Sequence, residues 1–479
     1  MFNILRSGLS THSWFNDKRL SNRFGRIVEQ IGNNFGSSLP KSGGNHGQAQ
    51  AIYRFMNNDK VTDKLLYHSS GSLCKELLVQ SEGQTYLAVS DTTGLNYTTN
   101  RSGDNLDCLN SIDQKGLYCQ TMMLMDSLGC PESLLRQSFY NRPAATIGQS
   151  LAINSTAQAK IPIEEKESYR WIADYKELET LFGQMSQHRI VHLIDSEGDI
   201  FELFAARKFA HIHILTRAHH DRKLFIDPKK VANGEYQPTN LKMAVCETDC
   251  QGCFSILVKD DKTGEKRQAQ LEVRWAKVTM DVPQTLKTYQ KEKGFKPIQL
   301  NVVEVREVTP KSATKHPFKP LQWFLMTTLP VENLEQATEI VHFYTLRWRI
   351  EDFHLVLKEG SKIEELQFEE QHALKNAIVV YSLVAIQMLK LRYLSEYQPE
   401  KSVQEVGIPV KAYKVVAQFI KKVKNINISI VEKPTVAHFC QLITLLGTGN
   451  KKNTGIRALW RGIRDFNLIW ETFNAFNDE

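Results

Sequence analysis

Two apolar runs that each end in an aspartate, TYLAVSD at 85–91 and RIVHLID at 189–195, restrict the possible folds more than any other feature. Short apolar runs of this kind, bounded by turn signals, read as buried strands. LYCQTMMLMD (117–126), SLLRQSFYNR (133–142) and HIHILTR (211–217) read as further strands. Helical spacing fills 168–186, after a loop rich in Ala, Ser and Pro, and IFELFAARKF (200–209) reads as another helix. Three strands followed by alternating helices and strands describe an α/β fold, a mixed sheet with helices on its faces. Each aspartate then sits at a strand end, where ligands of open α/β sheets bind. Taken singly, either residue is equally a turn starter or a helix cap.

The flanks differ from this core. Residues 1–66 read as helical and basic, with eight Lys or Arg against three acids over residues 1–60. Lys18, Arg19, Arg23 and Arg26 cluster on one expected helix, and Arg54 lies on AQAIYRFM beyond the loop SSLPKSGGNHGQ. Such a lobe favours an anionic partner, nucleic acid first, although a small solvated bundle has the same composition. Residues 222–330 read as an all-β insertion. QLEVRWAKV alternates at period two, KPIQLNVVEVREV and LQWFLMTTL are similar, and DDKTG at 260–264 supplies a hairpin turn. Residues 370–479 read as helical and end in the basic, aromatic KKNTGIRALWRGIRDF.

Composition adds limits. A hydrophobic fraction of 42% and a net charge of +7 are ordinary for a globular chain. The N-terminal sequence shows no secretory pattern, and eight cysteines form no paired framework, so a reducing cytoplasm is expected. The apolar segment 377–389 would rise about 20 Å as a helix, short of a bilayer, so no membrane partner is expected.

The segment YTLRWRIEDFHLVLK (344–358) places Tyr344, Arg347, Glu351, His354 and Lys358 along one stripe. On a regular helix these offsets fall within roughly 80° of arc. Asn333 with Gln336 offers a capping-box start and Gly360 a stop. A salt-bridged solvent face is the plain reading of such a stripe. Asp91 and Asp195 give it a second one: together with Glu351 they form the inventory that phosphodiester cleavage with two Mg²⁺ ions requires.

SDTTGLNY around Asp91, IDSEGDI around Asp195, and the spacing Y-x-x-R-x-x-x-E-x-x-x-x-x-x-K at Tyr344, Arg347, Glu351 and Lys358 resemble the DDE transposases of the bacterial insertion-sequence class with the YREK signature. YRF at 53–55, Trp323 in LQWFLMT and TGIRALWRG near the C-terminus strengthen the resemblance. It implies a ribonuclease-H-like catalytic core over 67–369, interrupted by the β insertion between Asp195 and Glu351. A helical DNA-binding domain (1–66) and a helical, dimerising C-terminal domain (370–479) would flank it.

By the same resemblance, Asp91, Asp195 and Glu351 hold two Mg²⁺ ions, for which Mn²⁺ substitutes. Tyr344, Arg347 and Lys358 grip phosphates, Trp323 stacks on an extruded base, and Glu197, Asp199 and His354 support the site. The implied activity is cut-and-paste transposition: terminal repeats are bound as double-stranded DNA, cleaved by water, passed through a hairpin and joined to target DNA by their 3′-hydroxyls. The implied assembly is a homodimer in a synaptic complex, in the cytoplasm and on the nucleoid when DNA-bound. A metal-dependent nuclease without strand transfer, or a non-catalytic DNA-binding inhibitor, shares most of these features.

Two features stand outside that scheme. His219, His220, Asp221 and Arg222 follow a strand end and read either as solvated loop residues or as contacts to phosphates or the catalytic pocket. Cys246, Cys250 and Cys253 form C-x-x-x-C-x-x-C, a metal-cluster spacing without the surrounding pattern that would confirm it.

Overall fold

A computed structural model describes residues 2–103, 105–142, 161–225, 239–246, 248–259, 266–284, 286, 293–308, 320–448 and 456–477. In chain order the principal elements begin with helices α1 (Phe2–Thr11), α2 (Lys18–Asn33), α3 (Leu39–Ser42), α4 (His46–Met56) and α5 (Asp63–Val79). Strands β1 (Thr85–Asn96), β2 (Gly116–Asp126) and β3 (Pro131–Tyr140) follow, then α6 (Tyr169–Phe182), β4 (Arg189–Ile194), α7 (Phe201–Ala205) and β5 (Ile212–Arg217). Next come β6 (Lys223–Phe225), β7 (Thr239–Asn240), α8 (Leu241–Cys246), β8 (Gly252–Lys259), β9 (Lys266–Met280), β10 (Ile298–Glu307) and β11 (Gln322–Thr327). The chain closes with α9 (Leu334–Thr345), α10 (Arg349–Leu355), α11 (Gln371–Tyr397), α12 (Val410–Lys422), α13 (Val436–Thr448) and α14 (Ile456–Asn477).

These elements divide into two compact units. One comprises Met1–Glu82, Asp91–Gln149 and Arg349–Glu479; the other comprises Gly83–Ser90 and Ser150–Trp348. The fold is mixed α/β, with a large mixed sheet and helical termini, consistent with a ribonuclease-H-like core.

The first unit is built on α11. Its buried residues point in every direction around the axis, as expected of a helix enclosed on all sides. Its 27 residues are long and apolar enough to cross a membrane, which corrects the estimate from 377–389, but 83% of its most apolar window is buried inside the protein. β2 and β3 pair antiparallel, and Gln137 on β3 donates to Ser382 on α11 at 2.9 Å. Asn376 on α11 donates to the carbonyls of Met56 and Val61, both at 2.9 Å. Those two carbonyls close α4, so the helix carrying Arg54 is fastened to the centre of the unit.

In the second unit β1, β4 and β5 are parallel, and β11 joins β5 antiparallel. β10, β9 and then β8 and β6 continue antiparallel, with β7 on β6. The expectation of an all-β insertion over 222–330 needs correction: Leu241–Cys246 is helical, and β9 to β11 extend the sheet of β4 and β5. The hairpin turn expected at 260–264 lies outside the described residues, and so do the loop after β3 from 143 to 160 and the start of the C-terminal basic segment, 451–455.

Two helices differ from the sequence reading. IFELFAARKF is helical only over Phe201–Ala205. Beyond it Arg207 turns back to the carbonyls of Ala210 (2.7 Å) and Ile212 (2.9 Å), and Glu179 accepts the Lys208 amide at 3.2 Å. The segment 344–358 is not one regular helix either. α9 passes through a 3-10 turn at Leu346–Trp348 into α10, and Val356–Gly360 is a π turn. Asn333 caps α9 through the Gln336 amide at 3.0 Å, but the Gln336 side chain accepts from Glu332 rather than Asn333. Gly360 ends the π turn for a packing reason. A Cβ there would stand 3.0 Å from the Phe35 and Trp460 rings, while the left-handed residue is Lys362, at φ 56°.

Candidate functional site

In the second unit β4 delivers Asp195. Its carboxylate caps the turn Ser196–Gly198 by accepting the Glu197 amide at 2.8 Å, and its carbonyl accepts from the buried Thr216 hydroxyl on β5. One face of the carboxylate thus fixes the turn, and the residue stays half-buried. One step further into the sheet, the Ser90 hydroxyl meets His192 Nε2 at 3.0 Å. Burial drives the His192 pKa down to about 4, against the opposing charge of Asp174, so this imidazole is neutral.

Tyr344, at the end of α9, is buried and meets the half-buried Trp323 of β11 edge to face at 5.4 Å. Burial raises the pKa of its phenol; Arg217 and Arg347 pull it back, and Asp195 pushes it up further. The phenol therefore stays protonated at neutral pH, as a donor between two guanidinium groups and a carboxylate. Arg347 also stands over the Trp348 ring, 5.3 Å from its centroid, and Trp348 is 54% exposed. Asp195, Trp323, Tyr344 and Arg347 thus share one neighbourhood. Arg217 joins it although the sequence reading passed over it, because a charge closing HIHILTR looks like an ordinary solvated strand end.

Glu197 and Asp199 are engaged elsewhere. Glu197 pairs with Arg170. Asp199 accepts the amides of His219 (2.9 Å) and His220 (3.0 Å) on one oxygen and Arg222 Nε (2.7 Å) on the other. Its side chain is 1% exposed and that of Arg222 16%. The loop after β5 is therefore fastened by a buried ion pair, and Arg222 is an anchor rather than a solvated loop residue.

In the first unit Asp91 lies within β1, half-buried, and accepts the Thr92 amide at 2.8 Å. The Thr92 hydroxyl donates to Gln120 on β2. Glu351 is half-buried on α10 and His354 is buried. α10 is held by its other side: Asp352 accepts from Tyr393, and Arg349 lies over the Tyr393 ring at 3.9 Å and donates to Tyr397 at 2.5 Å. Lys358, in the π turn, is close enough to β2 for its charge to act on Cys119. Asp126, Cys130 and Glu132 also bring ligand atoms within 4.8 Å of one another. Asp126 accepts the amides of Leu128 and Cys130 at 2.9 Å, and Glu132 pairs with Lys390 at 2.5 Å, which accounts for both charges.

The basic N-terminal residues occupy two helices. On α2, Arg19 and Arg26 are exposed and Arg23 is half-buried. Lys18 instead reaches back to the carbonyls of Ser10 (2.6 Å) and Thr11 (2.7 Å) and closes α1. Arg54 is exposed on α4, 3.4 Å from Gln50.

Residues 9–61 match the transposase DNA-binding family. The match spans α2 to α4 and takes in every N-terminal arginine named above. It supports a transposase for which DNA is a partner.

Proposed function

We propose that the chain is a cut-and-paste DNA transposase of the DDE class, with Asp91, Asp195 and Glu351 as its metal ligands. The observation that carries the reading is the transposase DNA-binding match at 9–61, in a chain that also spaces Tyr344, Arg347, Glu351 and Lys358 as the YREK signature does. The donor set fits Mg²⁺, since all three groups are carboxylates, half-buried, with no sulfur or imidazole among them. Two bound Mg²⁺ ions would activate the attacking oxygen and stabilise the leaving one.

The protein's own residues would do the rest. The neutral Tyr344 phenol donates to a phosphate oxygen without titrating near neutral pH, and Arg217 and Arg347 supply fixed positive charge beside it. Trp323 offers a ring face on which an unstacked base gains about 1–3 kcal/mol. Lys358 contributes a further cation. Arg19, Arg23, Arg26 and Arg54 track the duplex backbone, and the synaptic form would be a homodimer acting on two terminal repeats in the cytoplasm.

The test is an incubation of protein, Mg²⁺ or Mn²⁺, DNA bearing the inverted repeats that flank the gene, and a supercoiled target. Excised hairpin ends and joined products support transposition. Cleavage without joining would leave a nuclease, and binding alone an inhibitor.

A further inference from the structure

Five of the eight cysteines are buried, and burial pushes the thiols of Cys74, Cys119, Cys130 and Cys440 up to about 12, which keeps them protonated and inert. Cys246, Cys250 and Cys253 are the exposed ones, and they lie together. Cys246 is the last residue of α8, and Cys253 is the second residue of β8. The turn between is held to β9 at several points: Arg274 donates to the Thr248 carbonyl at 3.2 Å, Gln251 N to the Val273 carbonyl at 3.0 Å, and Trp275 N to the Gln251 side chain at 2.6 Å. Gly252 is required in it, because a Cβ there would stand 2.3 Å from Leu334.

Within this turn the Cys250 and Cys253 sulfurs are 3.8 Å apart. Two sulfurs bonded to one tetrahedral Zn²⁺, each at about 2.3 Å, are separated by about 3.8 Å. A disulfide would need about 2.05 Å. Arg274 is the common neighbour. Its charge acts on Cys246, Cys250 and Cys253, and its guanidinium is anchored by Glu272 at 2.9 Å and the buried Glu304 at 3.5 Å.

We propose that Cys246, Cys250 and Cys253 bind one Zn²⁺ ion, with water in the fourth position, and that the ion ties the end of α8 to the β8–β9 hairpin. Binding releases three thiol protons to solvent, and Cys246 exchanges its contact with Glu304 for the metal. Zn²⁺ with three thiolates carries one net negative charge, which the Arg274 guanidinium faces.

The experiment is a Co²⁺ titration of the full-length, reduced protein, read by the thiolate-to-cobalt charge-transfer absorbance. Cobalt held by carboxylates gives no such band, so the acidic residues of the proposed catalytic site do not contribute. One equivalent per chain should develop the band, and Zn²⁺ should abolish it. Cys250→Ser and Cys253→Ser should lose it, and Cys246→Ser should lower its intensity by about one third, as for one thiolate of three. With the unaltered protein, Zn²⁺ should protect these three thiols from alkylation, mapped by mass spectrometry. No band in the reduced protein, a band that survives Cys250→Ser or is unchanged in Cys246→Ser, or alkylation indifferent to Zn²⁺ would overturn the proposal.

Discussion

The arginines of the N-terminal helices and those near Asp195 carry the same charge in opposite settings. Arg19 has a side chain 94% exposed, beside Asp17 at 3.7 Å, whereas Arg222 is 16% exposed against an Asp199 that is almost wholly enclosed. An exposed guanidinium keeps its hydration and its mobility, so it can follow a phosphate backbone and gains affinity by releasing counterions. A buried one is a fixed strut whose partner must be present. The first region is built for affinity without demanding geometry, and the second for geometry.

Breaking the second region should therefore cost far more. The largest effect is expected at the proposed third metal ligand. Glu351→Gln keeps the size of the side chain but removes the charge, and the loss of several kcal/mol of transition-state stabilisation should lower cleavage by about a thousandfold or more. DNA binding measured by filter retention should persist; retained cleavage would remove Glu351 from the ligand set. Asp199→Asn should come next. It leaves Arg222 without its anionic partner, and breaking a buried pair costs about 3–5 kcal/mol, readable as a lower urea midpoint. An unchanged midpoint would show that the loop after β5 needs no anchor.

Acid should act on the second unit with a defined sign. Burial lowers His192 and His213 to about 4 from 6.5, so the folded protein binds fewer protons than the unfolded chain between these values. Stability is complete above pH 6.5 and is lost as pH falls toward 4, by about 3 kcal/mol for each histidine at the limit. Denaturation midpoints that are flat across this window would contradict the buried, neutral state of both. The smallest effect belongs to the exposed row. Arg26→Ala should weaken DNA binding only modestly and reduce the slope of log K against log salt by about 0.9 for one phosphate contact. A loss that persists unchanged at high salt would mean that Arg26 makes a geometric contact instead.

The strands were legible because their burial is nearly uniform: β1 is buried from Tyr86 to Ser90 and β2 from Gly116 to Met125, and such runs need no knowledge of their neighbours. The stripe at 344–358 was legible as a set of residues but not as a geometry. A constant 100° step fails once Leu346–Trp348 tightens to a 3-10 turn and Val356–Gly360 widens to a π turn. What tightens and widens them is packing, including the Phe35 and Trp460 rings against Gly360, and that comes from sequence more than 90 residues away on either side. Arg217 and the anchoring role of Asp199 stayed hidden for the same reason. Their partners are set by the register of β4 with β5 and of β5 with β11, which no local pattern encodes.

The proposed sharing of metal by Asp91, Asp195 and Glu351 has a direct probe. Fe²⁺ loaded in place of Mg²⁺, with ascorbate and peroxide, generates hydroxyl radicals that cut the backbone beside the bound ion. Cuts are predicted near residues 91, 195 and 351 together, suppressed by excess Mg²⁺ and all lost in Asp195→Ala. Cuts confined to the segment of Asp126, Cys130 and Glu132, or cuts at 91 and 351 that survive Asp195→Ala, would contradict it.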